Sequence, residues 1–298
     1  MRLKFLCLLL VLSGSLKGLA TAQTADGFLY ADSEFSNEIN IFGYVGNGGD
    51  ITIPAKINGK PVWAITGRSF QDQTSITSVT IPDSVTVIGE LAFANCENLV
   101  SIDLGNGVES IDAAAFFNTG LIAVDVGDQV WAIGNQTFSS CRQLKRVYLP
   151  GDLVYLGNRV FEDCPDVDYV VFKGNAPLEA GDSIFPETLG FTVYYYEGSS
   201  GFSSPVWQGR RSVMLPVPSE LGGELRIASF THQGDSVLLV VSGQEGWTYE
   251  LQRSTDLGVT PWMTVYTLDP LERDGPVELA DLSASAAQAY YRVVGSAP

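Results

Sequence analysis

Ile76-Thr77-Ser78-Val79-Thr80-Ile81-Pro82-Asp83-Ser84-Val85-Thr86-Val87-Ile88-Gly89-Glu90-Leu91-Ala92-Phe93-Ala94-Asn95-Cys96 decides the fold, because its pattern returns at Leu99, Leu121, Leu144 and, in part, Val167. The apolar positions read I-x-x-V-x-I, then V-x-x-I, then F. Phenylalanine marks the period: Phe70, Phe93, Phe116, Phe138 and Phe161 follow one another at 23, 23, 22 and 23 residues, and Phe185 comes 24 later. The other columns keep step. Val79 aligns with Ile102, Val124, Val147 and Val170; Ile88 aligns with Ile111, Ile133 and Leu156.

A repeat this short cannot bury its own apolar side. Stacked on its neighbours it forms a continuous core, and a period of about 20–29 residues with L-x-x-L-x-L is the signature of a leucine-rich repeat. The first segment is expected to form a short strand of a parallel sheet, V-x-x-I the opposite wall, and the phenylalanine the plug between them. The predicted fold class is therefore mainly β: a leucine-rich-repeat solenoid of ~23-residue units followed by an antiparallel β-sandwich.

The chain resembles the BspA-like leucine-rich repeats of bacterial surface and secreted proteins. The carrying residues are Ile53 to Val62 at entry, Val79 to Val85 with Ile88-Gly89 and Ala92 to Cys96, the closing turn Val170 to Pro177, and a cap of Val193 to Tyr195 with Gly209 to Arg211. The resemblance covers roughly residues 40–215. It implies a solenoid used for adhesion or protein binding, and no catalytic residues.

The flanks complete the plan. Arg2 and Lys4, the apolar run Phe5 to Leu12, and the small-x-small site Ala20-Thr21-Ala22 predict a secretory signal peptide over residues 1–22. Export to the medium or cell surface follows. Residues 23–50 are expected to cap the solenoid with a hairpin through Phe28, Tyr30, Ile39, Ile41 and Tyr44, and the solenoid to run over 51–215. Pro216-Val217-Pro218-Ser219 and Gly222-Gly223 predict a linker at 216–224. Over 225–298, Trp247 to Gln252 and Trp262 to Tyr266 alternate strictly, as expected of sandwich strands. Tyr249 to Leu257, Trp262 and Tyr290 to Val293 resemble the fibronectin-like tail modules of exported bacterial proteins, which implies a structural or attachment role.

Charge narrows the partners. Thirty-four acids face seventeen bases, and removal of residues 1–22 takes away three bases and no acid, moving the net charge from −17 to −20. That disfavours nucleic acid and anionic lipid, whose binding rests on Lys and Arg. No later stretch is apolar and long enough to predict an integral membrane segment in the mature chain.

No constellation of chemistry stands out. His232 is the only histidine and lies far in sequence from the repeats, so a loop or edge position is expected rather than a triad. Cys96, Cys141 and Cys164 share one repeat column beside the phenylalanine, with Gln73 and Thr119 in the same column. Buried free thiols are expected, a Cys141–Cys164 bridge being the alternative because stacked coils lie ~5 Å apart. Their spacing fits no zinc site, and no metal or other cofactor is expected. The abundant carboxylates leave a hydrolase as a weaker alternative.

Side chains flanking the central residue of each I-x-x-V-x-I strand should point outward. They read Ser78 and Thr80, Ser101 and Asp103, Ala123 and Asp125, Arg146 and Tyr148, Tyr169 and Val171. Arg146, Tyr148 and Tyr169, with Asp103 and Asp125 beside them, form the candidate binding site, since Tyr and Arg are typical anchors. Trp63 and Trp131, on the opposite wall, are a second candidate patch. A protein or peptide is the expected ligand. A glycan held by aromatics of the sheet face or the sandwich is the alternative.

Overall fold

The computed structural model describes residues 23–33, 36–185, 190–215, 227–233, 236–243, 246–254, 263–270, 275–281 and 290–296. The expected leader and the expected linker at 216–224 lie outside them. All elements among these residues are strands. The chain divides into two compact units, residues 1–193 with 200–211, and residues 194–199 with 212–298.

In the first unit each repeat makes one coil. The V-x-x-I segments supply Lys60–Ile65, Val87–Ile88, Ser110–Ile111, Ala132–Ile133, Tyr155–Leu156 and Glu179–Ala180, which pair parallel in that order. The I-x-x-V-x-I segments build the other wall. Gly49–Thr52, Ile76–Thr80 and Ser101–Asp103 form one parallel run, and Ala123–Asp125, Arg146–Leu149 and Tyr169–Phe172 a second. Pairing holds each residue to its repeat equivalent: Val124 faces Val147, and Val147 faces Val170.

The core between the walls is a ladder of rings. Phe70, Phe93, Phe116, Phe138, Phe161 and Phe185 stack nearly parallel, with centroids 4.8 to 5.8 Å apart and interplanar angles of 5° to 11°. Each ring is sandwiched by its equivalents, so dispersion is gained on both faces. Both ends are closed by aromatics. Tyr44 tilts onto Phe70 at 5.7 Å and Phe28 onto Tyr44 at 5.2 Å. At the other end Phe191 meets Phe185 edge-on at 5.0 Å, and Trp207 contacts Phe172, Phe185 and Phe202. The Phe28–Asp32 strand pairs antiparallel with Ile39–Tyr44, and the latter joins the V-x-x-I wall through Lys60–Ile65.

The turns repeat as strictly as the strands. Two columns have left-handed backbone: Arg68, Leu91, Ala114, Gln136 and Arg159, then Asp72, Asn95, Asn118, Ser140 and Asp163, all with φ between 53° and 63°. Asp and Asn tolerate that region and suit the second column, where Asn95 donates to Asp72 at 2.8 Å and Asn118 to Asn95 at 3.1 Å. Ala114, at φ 53°, has no such compensation. Ala114→Gly should raise the unfolding free energy by about 1 kcal/mol. A urea titration reads this as a higher midpoint at constant slope.

Among the described residues, those from 227 on form two three-stranded antiparallel sheets. Ile227–Gln233, Ser236–Gly243 and Gly275–Asp281 form one, and Met263–Leu268, Thr248–Ser254 and Tyr290–Ser296 the other. Leu239, Val241, Tyr249, Leu251, Val277 and Leu279 form one buried cluster drawn from both sheets. The lone histidine, His232, lies on the edge strand Ile227–Gln233.

Candidate binding surfaces

The outward file of the I-x-x-V-x-I wall is open at its start and closed at its end. Thr80, Ser101 and Asp103 are exposed, while Ala123, Asp125, Arg146 and Tyr169 are half-buried. Tyr148 is only 5% exposed and Val171 is fully buried. The expectation of a free Tyr148 is therefore corrected. Alternation gives the direction of a side chain but not what lies over it.

Tyr148 packs against its neighbour on the next strand. Its ring packs edge-on against Tyr169 at 6.2 Å and 87°, and the two hydroxyls share a hydrogen bond of 3.1 Å. Lys173 then crosses the wall. Its Nζ reaches Asp125 at 2.8 Å and Asp128 at 2.9 Å. Asp125 faces Tyr148 and Tyr148 faces Val171, so this ion pair joins the first strand of the run to the residue just past the end of the third. Asp125 is thus neutralised, which leaves Asp103 as the exposed carboxylate of the candidate set. Arg146 hydrogen-bonds Tyr169, and burial raises the Tyr169 phenol above its ordinary value despite the Tyr148 and Arg146 bonds. The site is a held Tyr148–Tyr169–Arg146 group with Asp103 at a distance on the open part of the face.

The second candidate patch does not form as one. Trp63 and Trp131 occupy the same file, but three coils apart, ~14 Å. The Trp63 Nε1 is buried without a hydrogen-bond partner. Trp131 instead lies in register with Val154 and Leu178, which are 37% and 85% exposed. Periodicity did not single these two out, because exposed apolar residues look like ordinary column members in sequence.

The cysteines have a structural task the sequence did not reveal. All three are free and buried. Each thiol lies on the carbonyl of the ladder phenylalanine one coil earlier: Cys96 on Phe70 at 3.1 Å, Cys141 on Phe116 at 3.1 Å and Cys164 on Phe138 at 3.0 Å. Gln73 does the same to the Tyr44 carbonyl, and Thr119 bonds Phe116 and Cys141. The column thus supplies donors to buried acceptors, and Gln and Thr serve as well as Cys. Burial pushes Cys96 up to about 12 and Cys141 up to about 11, and raises Cys164 as well. A thiol so far from ionising is a poor nucleophile. The native protein should resist thiol-specific labelling over hours at pH 8, and residues 23–298 should label at three sites once unfolded.

Among the described residues no group of three His, Cys, Asp or Glu side chains is placed to hold a metal ion. No helix there is long and apolar enough to cross a membrane.

Coils of two short parallel walls around a single apolar ladder define a leucine-rich-repeat solenoid. Residues 64–188 match the BspA type leucine rich repeat region in six copies. A leucine-rich repeat protein from T. pallidum is 27% identical, with 59% of this chain and 86% of that chain covered and a TM-score of 0.52. A leucine-rich repeat protein from Bacteroides capillosus is 24% identical, covering 51% and 99%, with a TM-score of 0.37. The pneumococcal vaccine antigen PcpA is 16% identical, covering 66% and 70%, with a TM-score of 0.42. No curated protein matches this sequence.

Proposed function

We propose that this chain is an exported, non-enzymatic binding protein, without cofactor or metal, whose solenoid recognises a protein or peptide partner on the outer face of the I-x-x-V-x-I wall. Arg146, Tyr169 and Asp103 make the contacts. Tyr148 positions Tyr169, and Lys173 with Asp125 braces the same surface. The carrying observation is the hydroxyl–hydroxyl bond that holds the Tyr169 ring edge-on to a buried Tyr148 beside Arg146. An aromatic already fixed in place loses little entropy on binding. The thiols are buried and the lone histidine sits in the other unit, which fits binding rather than catalysis.

The test is selection of random displayed peptides on the full chain, with a glycan array in parallel. Selected peptides should bind Arg146→Ala/Tyr169→Ala at least ~30-fold more weakly, with an unchanged melting curve. Unchanged affinity would overturn the site, and a glycan ligand without any peptide ligand would overturn the partner class.

A further inference from the structure

The V-x-x-I wall has an outer surface of its own, distinct from the face just described. One file runs Thr86, Glu109, Trp131, Val154 and Leu178, tied by backbone bonds from each residue to the next through Val154. Its neighbour runs Val87 and Ser110, both buried, then Ala132, Tyr155 and Glu179. Toward the end of the solenoid the first file becomes a continuous apolar strip, with Trp131 half-buried, Val154 37% exposed and Leu178 85% exposed. A leucine this exposed, in line with two other apolar residues, is not one scattered surface residue. Exposed carboxylates flank the strip, Glu109 one coil before Trp131 in the same file and Glu179 beside Leu178 in the neighbouring file. Neither file carries a lysine or arginine, in a chain of net charge −17.

We infer that this strip is a docking surface for an extended, basic segment of a partner protein: apolar side chains on Trp131, Val154 and Leu178, and lysine or arginine against Glu109 and Glu179. Length and charge both fit. From Glu109 to Leu178 is three coil spacings, ~14 Å, which an extended segment covers in about four residues. The like charge of a second copy opposes self-association through the same strip.

An array of immobilised ten-residue peptides tests this, in matched sets with an apolar centre flanked by lysine and arginine, by glutamate, or by serine. The full chain should bind the basic-flanked set at least ~10-fold better than the other two, with weakening at high salt. Val154→Ser/Leu178→Ser should lose ~10-fold or more on that set with the melting curve intact. Glu109→Gln/Glu179→Gln should erase the preference for basic over serine flanks. Equal binding to all three sets, or unchanged binding by the first variant, overturns the proposal. So does a dimer of the wild-type chain that the first variant converts to monomer in sedimentation. Val154→Ser/Leu178→Ser should keep its affinity for peptides whose binding depends on Arg146 and Tyr169, which separates this surface from the other wall.

Discussion

Phe116→Ala is expected to lower the unfolding free energy by about 3–5 kcal/mol, a large share of an ordinary domain's stability. Phe116 is fully buried in the middle of the ladder, with Phe93 at 5.4 Å and Phe138 at 5.5 Å in parallel stacks. Its removal opens a cavity that two strictly repeated walls cannot collapse to fill, because each coil is held in register by its neighbours. The loss also strips two rings of one face each. Phe28→Ala, at the capped end, should cost less, since its ring contacts among the described residues are the tilted or edge-on ones with Tyr44 and Phe70. Chemical denaturation of both variants gives the comparison. Equal losses would contradict a ladder whose centre is its most constrained part.

The second large effect is set by pH and resides at Asp112. The residue after the inner apolar position of this wall is Thr66 in the first coil and Gly89, Gly134, Gly157 and Gly181 in four others. A Cβ there would come within 2.4 to 2.6 Å of the preceding coil's backbone, so glycine lets the coils approach. Asp112 occupies this position in its own coil. One of its carboxyl oxygens is buried without a hydrogen-bond partner, and desolvation together with Glu90 pushes its pKa up to about 6. An acid whose folded pKa exceeds its unfolded value binds protons more tightly when folded. Its contribution is most favourable below pH ~4, falls as pH rises through about 6, and is flat above. The fall is of order 3 kcal/mol at most, at ~1.4 kcal/mol per pKa unit. Asp112→Asn should remove this part of the pH dependence and stabilise the protein at pH 7. Denaturant melts from pH 4 to 8 measure it. Parallel wild-type and variant profiles would show that Asp112 ionises freely.

The repeat itself was readable because a phenylalanine every 22 to 24 residues and the aligned apolar columns admit one stacking arrangement. The ends were less so. Tyr44 continues the ladder but stands 26 residues before Phe70, outside the period, and Trp207 closes the far end from a hairpin with no repeat. The sites were legible in direction only. Alternation put Tyr148 and Tyr169 on the outer side, and register made them neighbours. It did not carry the Lys173 crossing, which joins residues 48 apart, nor the mutual packing that buries Tyr148. The glycine column was visible as Ile88-Gly89, Ile133-Gly134 and Leu156-Gly157, and its break at Ile111-Asp112 is the kind of signal that marks an unusual position in advance. The cysteine column was correctly placed in the core, but its carbonyl partners depend on turn geometry that no residue pattern states.

Hydrogen–deuterium exchange of the full chain, with and without the tightest peptide recovered by display, tests the central claim most directly. The account predicts slowed exchange in Ser101–Asp103, Ala123–Asp125, Arg146–Leu149 and Tyr169–Phe172 when the peptide binds. Protection confined to residues 227–296, with those four strands unchanged, would contradict it.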